Sequence, residues 1–348
     1  MMEGGGQLLR MAVTYSAVMG IPIRVRRIRG GRSPPGLKAQ HLTAVKAVAE
    51  ICRGEVEGLR IGSTEIEFKP GRARGGSYSF DIGTAGSISL LLQCVAPVAA
   101  FADSTVELRI RGGTAVKWAP PTMTMREVVW RALRAMGFRG EINILREGFY
   151  PKGGGVVDAF IEPILKLRAI QTDGPGRVEL IRGISVCGKL PSHVAERQAK
   201  SAIETLRGSG LEAEIERRVL SGREQPLSPG SYITLWVERA ERPCYLGADS
   251  LGERGKKAEI VGLEAAESLI EQLKTGMAID LHTADNLILW CSLAEGESTF
   301  TTSRLTLHTA TAMELAKIIT GVKFKVEGQL NKPAKISCRG IGLKNPNL

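Results

Sequence analysis

The chain has 348 residues and a mass of 37.5 kDa, more than one ordinary core of about 100–200 residues holds. Its 43% hydrophobic and 24% charged residues exclude long disorder. Lys and Arg number 47 against 36 Asp and Glu, a net charge of +11, so the expected partners are polyanions: nucleic acid, nucleotide or an acidic membrane surface.

In chain order, Gly5–Met19 reads as a helix, Ile23–Ile28 as a strand and Leu37–Cys52 as a helix with apolar residues at helical spacing. Strands follow near Val56–Ile61 and Thr64–Lys69. The order recurs with a helix at Gly86–Phe101, a strand at Thr105–Ile110, a helix at Thr124–Met136 and strands at Glu141–Arg146 and Gly155–Ile161. It recurs again at Ala284–Ala294, Ser298–Thr302, Thr306–Ile319, Val322–Glu327 and Ala334–Cys338. Three rounds of helix, strand, helix, strand, strand predict three α/β lobes, each with two helices on a sheet. Residues 179–275 interrupt the pattern with an α/β order of their own, flanked by Asp173-Gly174-Pro175-Gly176 and Thr275-Gly276. The expected division is therefore 1–178 with 276–348, and an inserted domain at 179–275.

The longest apolar stretch, Ile88–Ala102, is broken by Ser89 and Gln93 and falls short of the ~18 residues that mark a membrane span. No membrane association is expected. The amino end has Arg10 before an apolar run, but Thr14, Tyr15 and Ser16 interrupt that run and no good cleavage site follows. Six cysteines without a CxxC pair predict reduced thiols and a cytoplasmic setting. There is no HExxH, and the pairs Gly188-Lys189 and Gly255-Lys256 lack the rest of a P-loop.

Residues 4–49 hold no Asp or Glu and eight basic residues: Arg10, Arg24, Arg26, Arg27, Arg29, Arg32, Lys38 and Lys46. They read as a solvated face or as an anion site. Glu3-Gly4-Gly5-Gly6-Gln7 precedes the first helix, where glycines let backbone N–H groups approach a phosphate, or else it is a flexible tail. Gly83-Thr84-Ala85-Gly86-Ser87 repeats that arrangement. Gln93, on an apolar helix, needs a hydrogen-bond partner in the core or in a ligand. Tyr150-Pro151-Lys152-Gly153-Gly154-Gly155 is accounted for by a hairpin turn. Thr283, in His282-Thr283-Ala284-Asp285-Asn286, is a candidate helix cap. His308 stands where a strand gives way to a helix. It is either a structural residue or a nucleophile toward phosphorus, whose anionic target the helix dipole would stabilise.

Taken together, Glu3-Gly-Gly-Gly-Gln-Leu-Leu-Arg10, Gly36-Leu-Lys-Ala-Gln-His-Leu-Thr43, Phe80-Asp-Ile-Gly-Thr-Ala-Gly-Ser87, Tyr150-Pro-Lys-Gly-Gly-Gly155, His193-Val-Ala-Glu-Arg197, Leu305-Thr-Leu-His-Thr309 and the ending Gly340-Ile-Gly-Leu-Lys-Asn-Pro-Asn-Leu348 resemble the RNA 3′-terminal phosphate cyclase family. The resemblance covers nearly the whole chain in the same order. It implies a fold of three lobes, each with two helices on a four-stranded sheet as in enolpyruvyl transferases, plus a small inserted α/β domain. It also implies an activity: ATP-dependent conversion of an RNA 3′-phosphate into a 2′,3′-cyclic phosphodiester. The implied route passes through a histidine–AMP phosphoramidate and an RNA adenylate, with pyrophosphate and AMP released. The nucleophile falls on His308, and Glu3 matches the acidic residue linked to a divalent metal, Mg or Mn. Gln93, Pro120, His282, Thr283, Ala284, Asp285 and Asn286 fall in the nucleotide site. Arg10 matches a phosphate-contacting arginine, with Arg29 and Arg32 as candidates for the RNA terminal phosphate.

Two departures stand out. His282 takes the place of a tyrosine that relatives can stack on adenine. Relatives also carry a short strand before the Glu-Gly-Gly-Gly motif, whereas here Met1-Met2 precede Glu3. One sheet is therefore expected to lack a strand and Glu3 to be poorly anchored. The alternative functions are a non-catalytic RNA-binding relative in ribosome assembly, which lacks the nucleophile, and a small-molecule transferase of related fold. The implied partners are ATP and RNA with a 3′-phosphate end. The sequence leaves a homo-oligomer open.

Overall fold

The computed structural model describes residues 5–348. The first lobe comprises α1 (Gly6–Met19), β1 (Ile23–Val25), α2 (Ala39–Cys52), β2 (Glu55–Glu57) and β3 (Ile66–Lys69). The second comprises β4 (Gly76–Asp81), α3 (Ile88–Ala100), β5 (Val106–Gly112), a broken helix, β6 (Gly140–Arg146) and β7 (Gly155–Ile161). That helix consists of α4 (Thr122–Thr124), a π-helical turn (Met125–Val129) and α5 (Trp130–Ala135). The short β8 (Gln171–Thr172) opens the third lobe. A separate unit intervenes: β9 (Val178–Gly188), α6 (His193–Gly208), β10 (Ala213–Leu220), β11 (Gly230–Ala240), β12 (Gly247–Leu251) and α7 (Ala258–Lys274). The third lobe then resumes with α8 (Leu281–Leu293), β13 (Glu297–Thr302), α9 (Leu307–Thr320), β14 (Phe324–Gly328) and β15 (Ala334–Arg339).

The architecture is thus α/β: three repeated lobes and one inserted layer. The second and third lobes carry the expected four-stranded sheets, ordered β4-β5-β7-β6 and β14-β15-β13-β8. Among the described residues the sheet of the first lobe has three strands, β1-β3-β2, the one expected to lack a strand. In the other lobes the fourth strand lies before the first helix and pairs in parallel with the strand between the helices, β4 with β5 and β8 with β13. The corresponding position in the first lobe precedes α1, outside the described residues. β1 is also shorter than its apolar pattern, because Arg27 and Arg29 adopt φ of 54° and 51°, which an extended strand does not admit.

α1 packs against α2, α3 and α9. Beyond Arg10 it is buried nearly all round, as a helix enclosed by others must be. Its Tyr15 hydroxyl meets Ser292 Oγ of α8 at 2.8 Å. One apolar core runs through all three lobes and into the insert. The closing Gly340–Leu348 segment clasps two lobes together: Asn345 Nδ2 donates to the carbonyls of Ala102 and Ile164 at 2.9 and 3.0 Å.

In the insert the strand order is β10-β9-β11-β12, with α6 crossing between the parallel pair β9 and β10. α6 and α7 pack together. Ile184, Val186, Tyr232 and Trp236 of its sheet meet Ala115, Met123, Val128 and Phe149 of the second lobe. At this seam the buried Glu147 carboxylate accepts from Tyr232 OH at 2.7 Å and from Thr114 Oγ1. Burial raises its pKa, against the pull of those hydroxyls. The six cysteines are free and buried. No described helix is long and apolar enough to cross a membrane.

Candidate active site

The amino ends of four helices, α1, α2, α8 and α9, gather on one side of the molecule, and each brings its first-turn side chains. Unpaired N–H groups at a helix start carry partial positive charge, so this side favours an anion before any side chain is counted.

α9 begins at Thr306, whose Oγ1 accepts from Thr309 N at 3.1 Å. That cap places His308 in the first helical turn, exposed to solvent. Its Nδ1 lies 2.6 Å from Gln7 Oε1 in α1, while Gln7 Nε2 donates to the His308 carbonyl at 3.4 Å. The Gln7 oxygen can only accept, so the neutral imidazole carries its proton on Nδ1 and its lone pair on Nε2.

One turn along α1 stands Arg10, whose Nη1 lies beside Gly6. Gly6 is needed at that point, because a Cβ there would collide with the ring of His41 from α2. Burial, reinforced by Arg10, Arg29 and Lys38, pushes the His41 imidazole down to about 4. Its Nδ1 accepts from Lys38 N at 3.2 Å, so the neutral ring carries its proton on Nε2, a donor where His308 has an acceptor. Arg10 also lies close enough to Asp285 to interact with it electrostatically. Burial and the nearby Asp280 raise the Asp285 carboxyl to about 7, against the pull of Arg10.

α8 is capped by Asp280, not by Thr283. Asp280 accepts from His282 N at 2.8 Å and from Thr283 N and Oγ1, both at 2.7 Å. Thr283 and Ala284 are consequently sealed beneath the helix start, at 0% exposure, and their place is in its framework. Asn286 Nδ2 donates to the His282 carbonyl at 2.8 Å and to Asp285 Oδ1 at 3.0 Å. The His282 ring is open on one side and crowded on the other. That crowding lowers its pKa, Asp280 opposes, and the nearby His308 and Arg304 add to the lowering. His282 thus faces the same space as His308.

The second lobe adjoins this group through α3, which packs against α1. α3 is capped by Ser87, and its Ser89 Oγ donates to the Pro120 carbonyl at 2.6 Å. Gln93 lies one turn beyond Ser89, half-buried. Its neighbour Cys94 meets α1, accepting at its carbonyl from Thr14 Oγ1 at 2.9 Å. The Gly83–Ser87 loop joins the first lobe through Ser87 N, which donates to Gln40 Oε1 at 3.2 Å. Tyr150–Gly155 is the turn between β6 and β7 and more: Gly153 has φ of 62°, and a Cβ on it would lie 2.8 Å from the Thr84 carbonyl oxygen. The position admits only glycine.

Arg10, His282, Asp285, Asn286 and His308 are therefore brought together, while Gln93 and Pro120 lie in the second lobe, whose α3 packs against α1. Arg29 behaves differently. It is 8% exposed, and its Nη1 donates to the carbonyls of Pro34 and Gly36, both at 3.0 Å. It organises the loop that leads into α2, and Arg32 and Lys38 stand exposed beside it. Glu3 lies outside the described residues. Sequence reasoning assigned no role to Gln7 or His41 and named Lys38 only as part of the basic stretch, although all three sit inside the quoted motifs. The available signal was their spacing, since Gln7 and Arg10, like Lys38 and His41, are three apart at a helix start.

The chain is thus a three-lobed α/β protein in which helix starts, Arg10 and a tautomer-fixed histidine gather on one side. A family model described as RNA 3′-terminal phosphate cyclase matches residues 1–326, and the chain belongs to that family. Among similar proteins, an RNA 3′-terminal phosphate cyclase of Methanopyrus kandleri is 48% identical over 342 residues, 98% of this chain and 97% of the relative. Proteins of the same name from Archaeoglobus fulgidus and Ignicoccus hospitalis are 46% and 45% identical, covering 94% and 97% of this chain and 95% and 96% of their own lengths.

Proposed function

We propose that this protein converts an RNA 3′-phosphate end to a 2′,3′-cyclic phosphodiester at the expense of ATP, with His308 as the nucleophile. The observation that carries the reading is the Gln7–His308 pair, which puts the proton on Nδ1 and the lone pair on Nε2 of an imidazole exposed at a helix start. A phosphate monoester dianion resists attack by a neighbouring hydroxyl because it lacks a good leaving group. Adenylation supplies one.

In the first step His308 Nε2 bonds to the α-phosphorus of ATP and pyrophosphate leaves. An oxygen of the RNA 3′-phosphate then attacks the same phosphorus, and the N–P bond breaks. Last, the ribose 2′-hydroxyl attacks the 3′-phosphorus, AMP departs, and the ring closes. Arg10 and the convergent helix starts meet the triphosphate's negative charge. Pro120 and His282 flank the adenine, with Gln93, Asp285 and Asn286 at the nucleotide. Arg32, Lys38 and the Arg29-held loop are assigned to the RNA terminal phosphate. Thr283 and Ala284 support this segment from beneath.

A divalent metal, Mg or Mn, held in part by Glu3, would neutralise triphosphate charge. Among the described residues no three His, Cys, Asp or Glu side chains gather to hold a metal, and no step above is routed through one. We assign residues 1–178 and 276–348 to the catalytic unit and 179–275 to an inserted domain.

The test is self-adenylation. The protein is incubated with ATP labelled at the α-phosphate and a divalent metal, beside His308→Ala. Acid-labile label on the wild type and none on the variant is the expected result. Label that persists on His308→Ala would move the nucleophile elsewhere. An unlabelled wild type that still binds RNA would favour a non-catalytic relative.

A further inference from the structure

The chain has four tryptophans. Trp130, Trp236 and Trp290 are 1%, 8% and 4% exposed, whereas Trp118 is 97% exposed. A large indole left in water forfeits the burial that drives its neighbours inward. Its backbone is also strained, with φ of 69°, a region a bulky L-residue rarely enters. Two separate costs therefore fall on one residue, and nothing in the protein's own packing compensates for either.

The segment that presents Trp118 is fixed at several points. Gly113 N donates to the Gly86 carbonyl at 2.7 Å, and Thr122 N donates to the Thr114 carbonyl at 2.7 Å. The Pro120 carbonyl accepts from Ser89 Oγ at 2.6 Å. Lys117 Nζ reaches across to Glu253 Oε2 of the insert at 2.7 Å. Trp118 thus stands exposed beside a contact between the second lobe and the insert, two residues before Pro120, which is assigned to the adenine. Exposed cations adjoin this contact in the chain: Lys117 itself, and Arg254, the residue after its partner Glu253.

We propose that Trp118 is a stacking platform for a nucleobase of the RNA strand whose 3′ end occupies the active site, with Lys117 and Arg254 facing its phosphates. An exposed π-face beside positive charge is the combination that holds single-stranded nucleic acid without reading its sequence. A flexible strand arriving from solvent can cover an indole that touches no protein. The proposal rests on the cyclase reading for the identity of the strand, and its test is independent of catalysis.

Trp118 is the sole solvent-exposed tryptophan, so the part of the intrinsic fluorescence that acrylamide quenches reports on it. Three titrations are compared: an oligoribonucleotide with a 3′-phosphate, the same oligonucleotide with a 3′-hydroxyl, and ATP without RNA. Both oligonucleotides should quench the emission and shield it from acrylamide, and ATP alone should leave it unchanged. Trp118→Gly, which relieves the positive φ, should fold with an unchanged or raised Tm, self-adenylate normally, and bind the oligonucleotide roughly tenfold more weakly. Trp118→Phe, which keeps a π-face, should retain most of the affinity.

Quenching by ATP alone would overturn the proposal and place the indole in the adenine site. So would a concentration-dependent blue shift without ligand, accompanied by a doubled mass in sedimentation, which would assign the indole to a contact between two copies. Wild-type RNA affinity in Trp118→Gly would also overturn it. A wild type that never self-adenylates but shows RNA quenching would sink the catalytic reading and leave the platform standing.

Discussion

At the scale of single residues, the site depends on which nitrogen of an imidazole holds its proton. Gln7 fixes that for His308 by accepting at Nδ1, and Lys38 N fixes the opposite form for His41. Gln7→Leu removes the acceptor at His308 Nδ1 and should slow self-adenylation roughly 2–10-fold with little change in Tm. Gln7→Glu, which keeps an acceptor oxygen at that place, should retain more of the rate. Equal rates for Gln7→Leu and the wild type would show that Gln7 does not act on the histidine. His308 itself was legible in the sequence through its motif. Gln7 was not, because a glutamine three residues before an arginine says nothing about a partner 301 positions away. Arg29 was misleading for a related reason. A basic residue in a positively charged stretch reads as open to ligand, and its near-complete burial follows from carbonyls that a loop conformation supplies.

At the scale of elements, the helix starts decide where the chemistry sits, and their caps can be tested singly. Thr306→Ala removes the acceptor for Thr309 N and should cost about 1 kcal/mol of stability, read as a lower urea midpoint. Self-adenylation should fall further than that loss of folded protein explains, since His308 lies two residues along. Thr306→Ser should restore both. A variant with lowered stability and wild-type adenylation per folded molecule would separate the cap from the site. Helices and long strands were well marked by apolar spacing. β8 and β12 were not, since two residues carry no period and Gly247-Ala-Asp-Ser-Leu251 lacks the branched and aromatic residues that mark strands. The cap of α8 was misread by three residues. Asp280 and Thr283 are both capping types, and only the hydrogen bonds distinguish the residue that caps from the one that is enclosed.

At the scale of the molecule, the insert is fastened to the lobes through polar groups as well as apolar ones. Thr124 Oγ1 donates to Asp249 Oδ1 at 3.1 Å across that seam. Burial and the nearby Asp280 raise the Asp249 carboxyl from 3.8 to about 7, against the Thr124 hydrogen bond. Between those two values the folded protein holds a proton that the unfolded chain has released. This group's contribution to stability is therefore complete below the lower value and lost as pH rises through the upper one. Asp249→Asn keeps the acceptor without the charge. It should stabilise the protein at pH 8 by about 1–3 kcal/mol relative to wild type and make no difference near pH 4. Parallel Tm curves for the two proteins from pH 4 to 8 would refute this. The repeat of three lobes and the span of the insert were visible in the order of elements. How the insert docks was not, because its contact residues, Ile184, Tyr232 and Trp236 among them, are indistinguishable in sequence from ordinary core. The Gln7–His308 pair has a further consequence, for the timing of synthesis. A ribosome delivers Gln7 301 residues before His308, and the imidazole has no fixed proton until the two meet. On the proposed mechanism, a nascent chain that has not yet released α9 holds the arginine-rich first lobe without the nucleophile, so self-adenylation begins only when that late helix packs against α1.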